Sequence, residues 1–191
     1  VFGPGKLTMA GSSSQLLGGL PFQFEIAQPA SGTAAVTLTG NASNLPFEEK
    51  YLRVSTSPTA ATRSLHSCAI TSVNILKCWG DNSSYQLGDG TTTRKVMPLP
   101  VDLPAGGPVL YSRVSTGAGY TCGITTSGAL KCWGINNFGQ LGNTSTTTVS
   151  SPTVVDSGNS YSEIAAGLNH TCGIRTNGIL YCWGRNANGQ L

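Results

Sequence analysis

Thr121-Cys122-Gly123-Ile124, followed by Leu130-Lys131-Cys132-Trp133-Gly134 and Ile135-Asn136-Asn137-Phe138-Gly139-Gln140-Leu141-Gly142, decides the architecture because it recurs. Ser67-Cys68-Ala69-Ile70 leads in the same way to Leu76-Lys77-Cys78-Trp79-Gly80 and to Asp81-Asn82-Ser83-Ser84-Tyr85-Gln86-Leu87-Gly88. Thr171-Cys172-Gly173-Ile174 leads to Leu180-Tyr181-Cys182-Trp183-Gly184, and the last residues are Gly189-Gln190-Leu191. The Trp residues lie 54 and then 50 positions apart. A fixed period of this size indicates a solenoid or propeller rather than a single irregular core.

Ahead of each first Cys runs a segment alternating with the period of a strand: Tyr51 to Ser55, Tyr111 to Ser115 and Tyr161 to Ala165. After each turn-rich stretch comes a Pro-led extended piece, Pro98 to Val101 and Pro152 to Val155. Each unit therefore offers four short strands in about fifty residues, the content of one propeller blade. Two departures from strict repetition stand out. Val54 to Cys68 spans 14 positions where Val114 to Cys122 spans 8, so six extra residues lie within Thr56 to Ser67. The link from Trp79 to Tyr111 is four residues longer than that from Trp133 to Tyr161, and it carries the adjacent basic pair Arg94-Lys95.

Composition agrees with a strand-and-turn chain. Of 191 residues only 10% are charged, Ser and Thr number 43, and there are 25 Gly and 10 Pro. Helix formers are too few for a bundle or coiled coil. The net charge of +3 comes from 11 basic residues with no clustered stripe, so no nucleic-acid partner is expected. No apolar run reaches the ~18 residues of a membrane span, and no membrane insertion is expected.

The six Cys stand in pairs ten apart. Placing Cys122 opposite Cys132 puts Thr125 opposite Ala129 and leaves the loop Thr126-Ser127-Gly128. Three-residue hairpins end on a residue in the left-handed region, which suits Gly and next best Asn. The same register puts Gly178 and Asn74 at that position in the other units. Each Cys pair then falls at a non-hydrogen-bonded site, where Cα atoms approach to ~4.5 Å, within disulfide range. The expected bonds are Cys68 to Cys78, Cys122 to Cys132 and Cys172 to Cys182. Six reduced Cys packed inside blades is the other reading. A zinc site is disfavoured, because Cys pairs at two-residue spacing are absent and His66 and His170 lack matching partners.

The pattern Cys-x-Ile, Leu-x-Cys-Trp-Gly-x-Asn and Gln-Leu over residues 51 to 191 resembles the repeat of the regulator of chromosome condensation family. Tyr85 stands where the other units have Gly. The resemblance implies a seven-bladed propeller of which this chain holds two units and a shortened third, with the remaining blades in the full-length protein. Paired hairpin Cys resembles the bacterial, secreted or cell-surface branch of that family.

The expected fold is thus all-β: a partial propeller of four-stranded blades over 51–191, preceded by a β-rich segment, 1–50. That segment alternates at Pro21 to Ile26 and Ala35 to Thr39 and reads as the end of a sandwich or a linker strand pair. Trp79, Trp133 and Trp183, beside Gly80, Gly134 and Gly184, are expected to pack blades. Asn82, Asn136 and Asn186 with Gln86, Gln140 and Gln190 are expected to satisfy backbone groups in the following turn, and Asp81 and Asp89 to flank a solvated loop. Glycosylation sequons occur at Asn41, Asn82, Asn143 and Asn169.

No Gly-x-Ser-x-Gly elbow, phosphate loop or His-centred constellation is present, so no catalytic residues, metal or cofactor are expected. The leading expectation is a non-catalytic, extracellular or cell-surface scaffold. It would bind a protein, or a glycan, through its loops, with Arg94 and Lys95 as candidate contacts. The alternatives are a guanine-nucleotide exchange factor for a small GTPase and the targeting module of a secreted enzyme. Disulfides are rare in reducing compartments, which favours the first over the second.

Overall fold

The computed structural model describes residues 49–58, 65–104 and 107–191 in full, and the backbone of 25–27 and 35–37. The chain divides into two units, Val1–Glu48 and Glu49–Leu191. In the first, β1 (Glu25–Ala27) pairs antiparallel with β2 (Ala35–Thr37), with Ile26 opposite Val36.

The second unit holds three antiparallel sheets in chain order. β3 (Tyr51–Thr56), β4 (His66–Thr71), β5 (Leu76–Gly80) and β6 (Lys95–Pro100) make the first. β7 (Tyr111–Thr116), β8 (Tyr120–Thr125), β9 (Leu130–Gly134) and β10 (Val149–Val154) make the second. β11 (Tyr161–Ala166), β12 (His170–Arg175) and β13 (Leu180–Gly184) make the third. Each sheet meanders in sequence order, and the first strand of one sheet packs on the first and second strands of the sheet before it. These are successive blades of a propeller.

The hairpins have the register that the Cys spacing implies. Cys68 faces Cys78, Cys122 faces Cys132 and Cys172 faces Cys182. The loop residues Asn74, Gly128 and Gly178 take φ of 64°, 88° and 84°. The three disulfides are formed, with Cα atoms 4.1 to 4.2 Å apart. The Pro-led pieces differ from expectation. The fourth strands begin three residues earlier, at Lys95 and Val149, and are interrupted by bulges. An outer strand needs only one hydrogen-bonding edge, so Pro98, Pro100 and Pro152 are tolerated there.

The core is a set of layers between sheets. Cys68, Ile70, Leu76, Cys78, Leu87 and Val101 of the first sheet and its loops enclose Tyr111 and Trp133 of the second. Cys122, Ile124, Leu130, Cys132, Leu141 and Val155 repeat the arrangement around Tyr161, with Trp183 packed against them. Within each layer the rings meet edge to face, Tyr111 with Trp133 at 6.5 Å and Tyr161 with Trp183 at 6.4 Å. A fully buried ring of this size removes roughly 200 Å² from water, on the order of 5 kcal/mol before the cost of ordering the chain.

Polar contacts fix the junctions. Trp133 Nε1 and Thr121 Oγ1 both donate to the main-chain carbonyl of Gln86, at 3.0 and 2.8 Å. Trp183 Nε1 and Thr171 Oγ1 do the same to Gln140, at 2.9 and 2.8 Å. With the Thr121 proton so committed, His66 Nε2 is the donor in its 2.8 Å bond to Thr121 Oγ1. Two residues after each Gln, a Gly with positive φ lies beneath the next indole. A Cβ on Gly88 would stand 2.6 Å from Trp133 Nε1, and one on Gly142 2.6 Å from Trp183 Nε1.

Gly90 shares the positive φ of Gly88 (74° and 76°), but a Cβ on it would meet only Ser151 Oγ at an ordinary 3.7 Å where Gly88 has a ring. Gly88→Ala is therefore expected to lower the melting temperature of the chain by several degrees, a cost above about 1 kcal/mol. Gly90→Ala, which carries the φ strain alone, should cost clearly less in the same thermal unfolding measurement.

Candidate interaction surface

Antiparallel meandering puts alternate turns at opposite ends of every blade. The first-to-second and third-to-fourth strand connections share one end: 57–65 and 81–94 in the first blade, 117–119 and 135–148 in the second, and in the third 167–169, with 185–191 following its third strand. Backbone bonds tie these loops together, Asp81 N–H to Leu65 C=O, Ile135 N–H to Gly119 C=O and Arg185 N–H to Asn169 C=O, at 2.8 to 2.9 Å. The loop 81–94 that carries Arg94 is as long as 135–148, so the four extra residues of the longer link fall after β6, in 101–110 against 155–160, while the insertion after Val54 falls between β3 and β4. Residues 59–64 of that insertion fall outside the described residues.

In the first two blades the long loop at this end is shaped by one buried Asn and one buried Gln, whose counterparts in the third, Asn186 and Gln190, are exposed and half-buried. Asn82 Oδ1 accepts from Leu87 N–H at 3.0 Å, while its Nδ2 donates to Asp89 Oδ1 and to the carbonyls of Thr91 and Thr93. Asn136 accepts from Leu141 N–H and donates to Asn143 Oδ1 and the Ser145 carbonyl. Asn186 accepts from Leu191 N–H at 3.1 Å. Gln86, Gln140 and Gln190 each turn Oε1 back onto a main-chain N–H, of Ser84, Phe138 and Asn188. Tyr85 takes φ of 63°, matching Gly139 and Gly189 at 73° and 72°.

Asp81 and Asp89 are built into this loop rather than flanking a solvated one. Asp81 Oδ2 accepts from Gln86 Nε2 and Ser83 Oγ at 2.8 Å each. Burial pushes the Asp89 carboxyl up, but donors on Thr91 and Asn82 and the ammonium of Lys95, 3.2 Å away, outweigh it and hold the group low. Of the candidate binding pair, Lys95 is thus committed to Asp89, whereas Arg94 is exposed. The sequon amide of Asn82 is wholly buried and saturated with acceptors.

The opposite end carries a repeated arrangement that the sequence reading missed. In each blade an acid joins the Tyr that opens the first strand to a cation. Glu49 accepts from Tyr51 OH and pairs with Lys77, both at 2.5 Å. Asp102 Oδ2 accepts from Tyr111 OH and Lys131 Nζ, both at 2.6 Å. Asp156 Oδ2 accepts from Tyr161 OH at 2.5 Å and Arg175 Nη2 at 2.6 Å. In the third blade Tyr181 replaces the Lys of the others, and Arg175, 3.9 Å above its ring, supplies the charge. The signal was present as Val-Asp at 101–102 and 155–156 ahead of each Tyr. These contacts account for displaced titrations. Burial, with help from Glu49, pushes Tyr51 up to about 12. The Lys77 bond holds Glu49 low, the Tyr161 bond holds Asp156 low, and the Arg113 bond holds Glu163 low. Arg113 reaches Glu163 from the neighbouring first strand at 3.1 to 3.2 Å. Among the described residues no three His, Cys, Asp or Glu converge as a metal site.

Carboxylates held low stabilise the fold above their unfolded values and lose that contribution as pH falls through the folded ones. The melting temperature is therefore expected to fall steadily on acidification below about pH 4.5 and to change little between about pH 6 and 8. Asp156→Asn should flatten part of the acid limb in thermal melts across pH.

Comparison with known proteins places these repeats. The model of the regulator of chromosome condensation (RCC1) repeat matches residues 111–140 and 161–190, and a second model of that description matches 127–174. The X-linked retinitis pigmentosa GTPase regulator homolog of Caenorhabditis elegans is 39% identical over 77 residues, 40% of this chain and 5% of that protein. Human WBSCR16 superposes with a TM-score of 0.61 at 23% identity, over 72% of this chain and 34% of that one. Yeast RCC1 (Prp20), solved bound to Kap60, gives a TM-score of 0.55 at 23% identity, over 63% and 30% of the two chains. A further structure of Prp20p from Saccharomyces cerevisiae is described with its binding properties to Gsp1p and histones. The chain spans only a small part of such relatives, and its residues 111–190 are repeats of the regulator of chromosome condensation (RCC1) family.

Proposed function

We propose that this chain is part of a non-catalytic RCC1-repeat propeller that binds a protein partner outside the reducing cytosol, at the cell surface or in the extracellular space. The observation that carries the reading is the exposed Arg94, which stands in the loop 81–94, free of the strand pairing that the fold requires. Relatives that bind proteins, such as yeast RCC1 with Kap60, make a protein the preferred ligand class over a glycan. Three disulfides in successive hairpins support an oxidising compartment.

A second reading has a specific observation in its favour. The identity with a GTPase regulator homolog supports action on a small GTPase, and such action would be expected in a reducing compartment. Intact mass separates the two. Thiol-blocked protein from its native compartment should carry no blocked Cys and gain about six daltons on reduction, two for each bond. Six blocked thiols would remove the exported scaffold in favour of the GTPase-directed reading.

Arg94→Ala should weaken a partner complex recovered by crosslinking from native material about tenfold while leaving the melting temperature unchanged. Lys95→Ala should lower stability as well, because it strips Asp89 of its cation. Unaltered affinity in Arg94→Ala would move the contact away from the first blade.

A further inference from the structure

The three long loops are copies of one design, so the place where the design is left incomplete is informative. In the first blade the buried Gln86 amide is fully used: Oε1 accepts from Ser84 N–H at 2.8 Å and Nε2 donates to the Asp81 carboxylate at 2.8 Å. In the second blade Gln140 is equally buried, and its Oε1 accepts from Phe138 N–H at 2.9 Å. That bond fixes the amide's orientation, since only the oxygen can accept. Its Nε2 has no hydrogen-bond partner among the described residues, because Ile135 occupies the position of Asp81. An unmet buried donor costs roughly 1–3 kcal/mol. The missing group is a carboxylate.

The surroundings suit one. In the third blade the position of Asp81 is held by Arg185, whose exposed guanidinium lies 5.1 Å above the Phe138 ring. Phe138 is 46% exposed at a position where the other loops carry Ser84 and Asn188. The fold requires neither the ring nor the cation, since the first loop closes with Ser84 and Asp81 in their places.

We infer that the loop cluster of the second and third blades is a docking site for an acidic, apolar-flanked segment of a protein partner. A carboxylate of the segment pairs with Arg185 and, as the half-buried Ile135 turns aside, supplies Gln140 Nε2 with the acceptor that Asp81 gives Gln86. An apolar side chain of the segment lies on Phe138. This deepens the scaffold reading by naming the partner's chemistry, and it uses residues other than Arg94.

The test uses the full chain and a fluorescein-labelled peptide of about ten residues alternating glutamate with leucine, with a lysine and leucine peptide as control. Saturable binding of the glutamate peptide only, weakening with salt, is expected. Arg185→Ala and Phe138→Ala should each weaken it about tenfold. Ile135→Asp provides the carboxylate internally, so it should raise the melting temperature by a few degrees and suppress peptide binding. Ile135→Asn provides an uncharged acceptor and should also raise it. The proposal falls if the folded Arg185→Ala protein binds like the parent, if both peptides bind alike, or if neither Ile135 variant is stabilised. A native partner complex that survives Arg185→Ala but not Arg94→Ala would overturn this site and leave the scaffold intact.

Discussion

One main-chain carbonyl per junction, that of Gln86 and then of Gln140, is what the rest of the second unit is arranged around. It takes an indole N–H and a threonine hydroxyl from the following blade, and it can do so only if the loop presenting it is stiff. The Asn and Gln side chains supply that stiffness by folding back onto the loop's own N–H groups. The Gly two residues on is dictated by the same contact, because the indole passes where a side chain would begin. A stretch that reads as a polar turn is therefore the part of the repeat that joins one blade to the next, and the apolar layers of Tyr, Trp and Cys follow from the approach that it sets.

Much of this was legible because it is local. The Cys spacing, together with Gly128, Gly178 and Asn74, determined a hairpin register that a one-residue slip would have ruined, since it would have turned every Cys to the opposite face. Burial of Trp133 followed from size and repetition, whereas Trp79 and Trp183 are half-buried. What could not be read depended on meetings between distant positions. Lys131 and Asp102 are 29 residues apart, and their shared Tyr111 opens a strand whose aromatic looked sufficient as a packing residue. The early start of β6 and β10 was hidden by proline, which signals a break in the chain but is harmless on an outer edge. Asp89 looked like a solvated acid until Asn82, Thr91 and Lys95 were seen around it.

The comparison of copies within one chain stands in for a comparison between proteins. Positions at which all three units agree in role, such as Asn82, Asn136 and Asn186, answer to the fold. Compensated changes answer to it as well: Tyr181 takes the place of a Lys, and Arg175 restores the charge from a neighbouring strand. Uncompensated changes are left over. Ile135, Phe138 and Arg185 break the local pattern without restoring the bond that it makes elsewhere. All three lie at one end of the blades, in the segments that follow each third strand.

The disulfides have a mechanical meaning. Each joins two strands of the same hairpin, and among the described residues none crosses from one blade to another. Each hairpin is thus covalently closed while its neighbours are held only by non-covalent contacts, among them two hydrogen bonds to a carbonyl, a layer of rings and the Arg113–Glu163 pair. Under tension along the chain, or with a protease at the loops, the blades would part from one another before any hairpin opened. The protein would then yield in discrete steps, one blade at a time, with a length of some fifty residues released at each step less the short segment locked between its paired Cys.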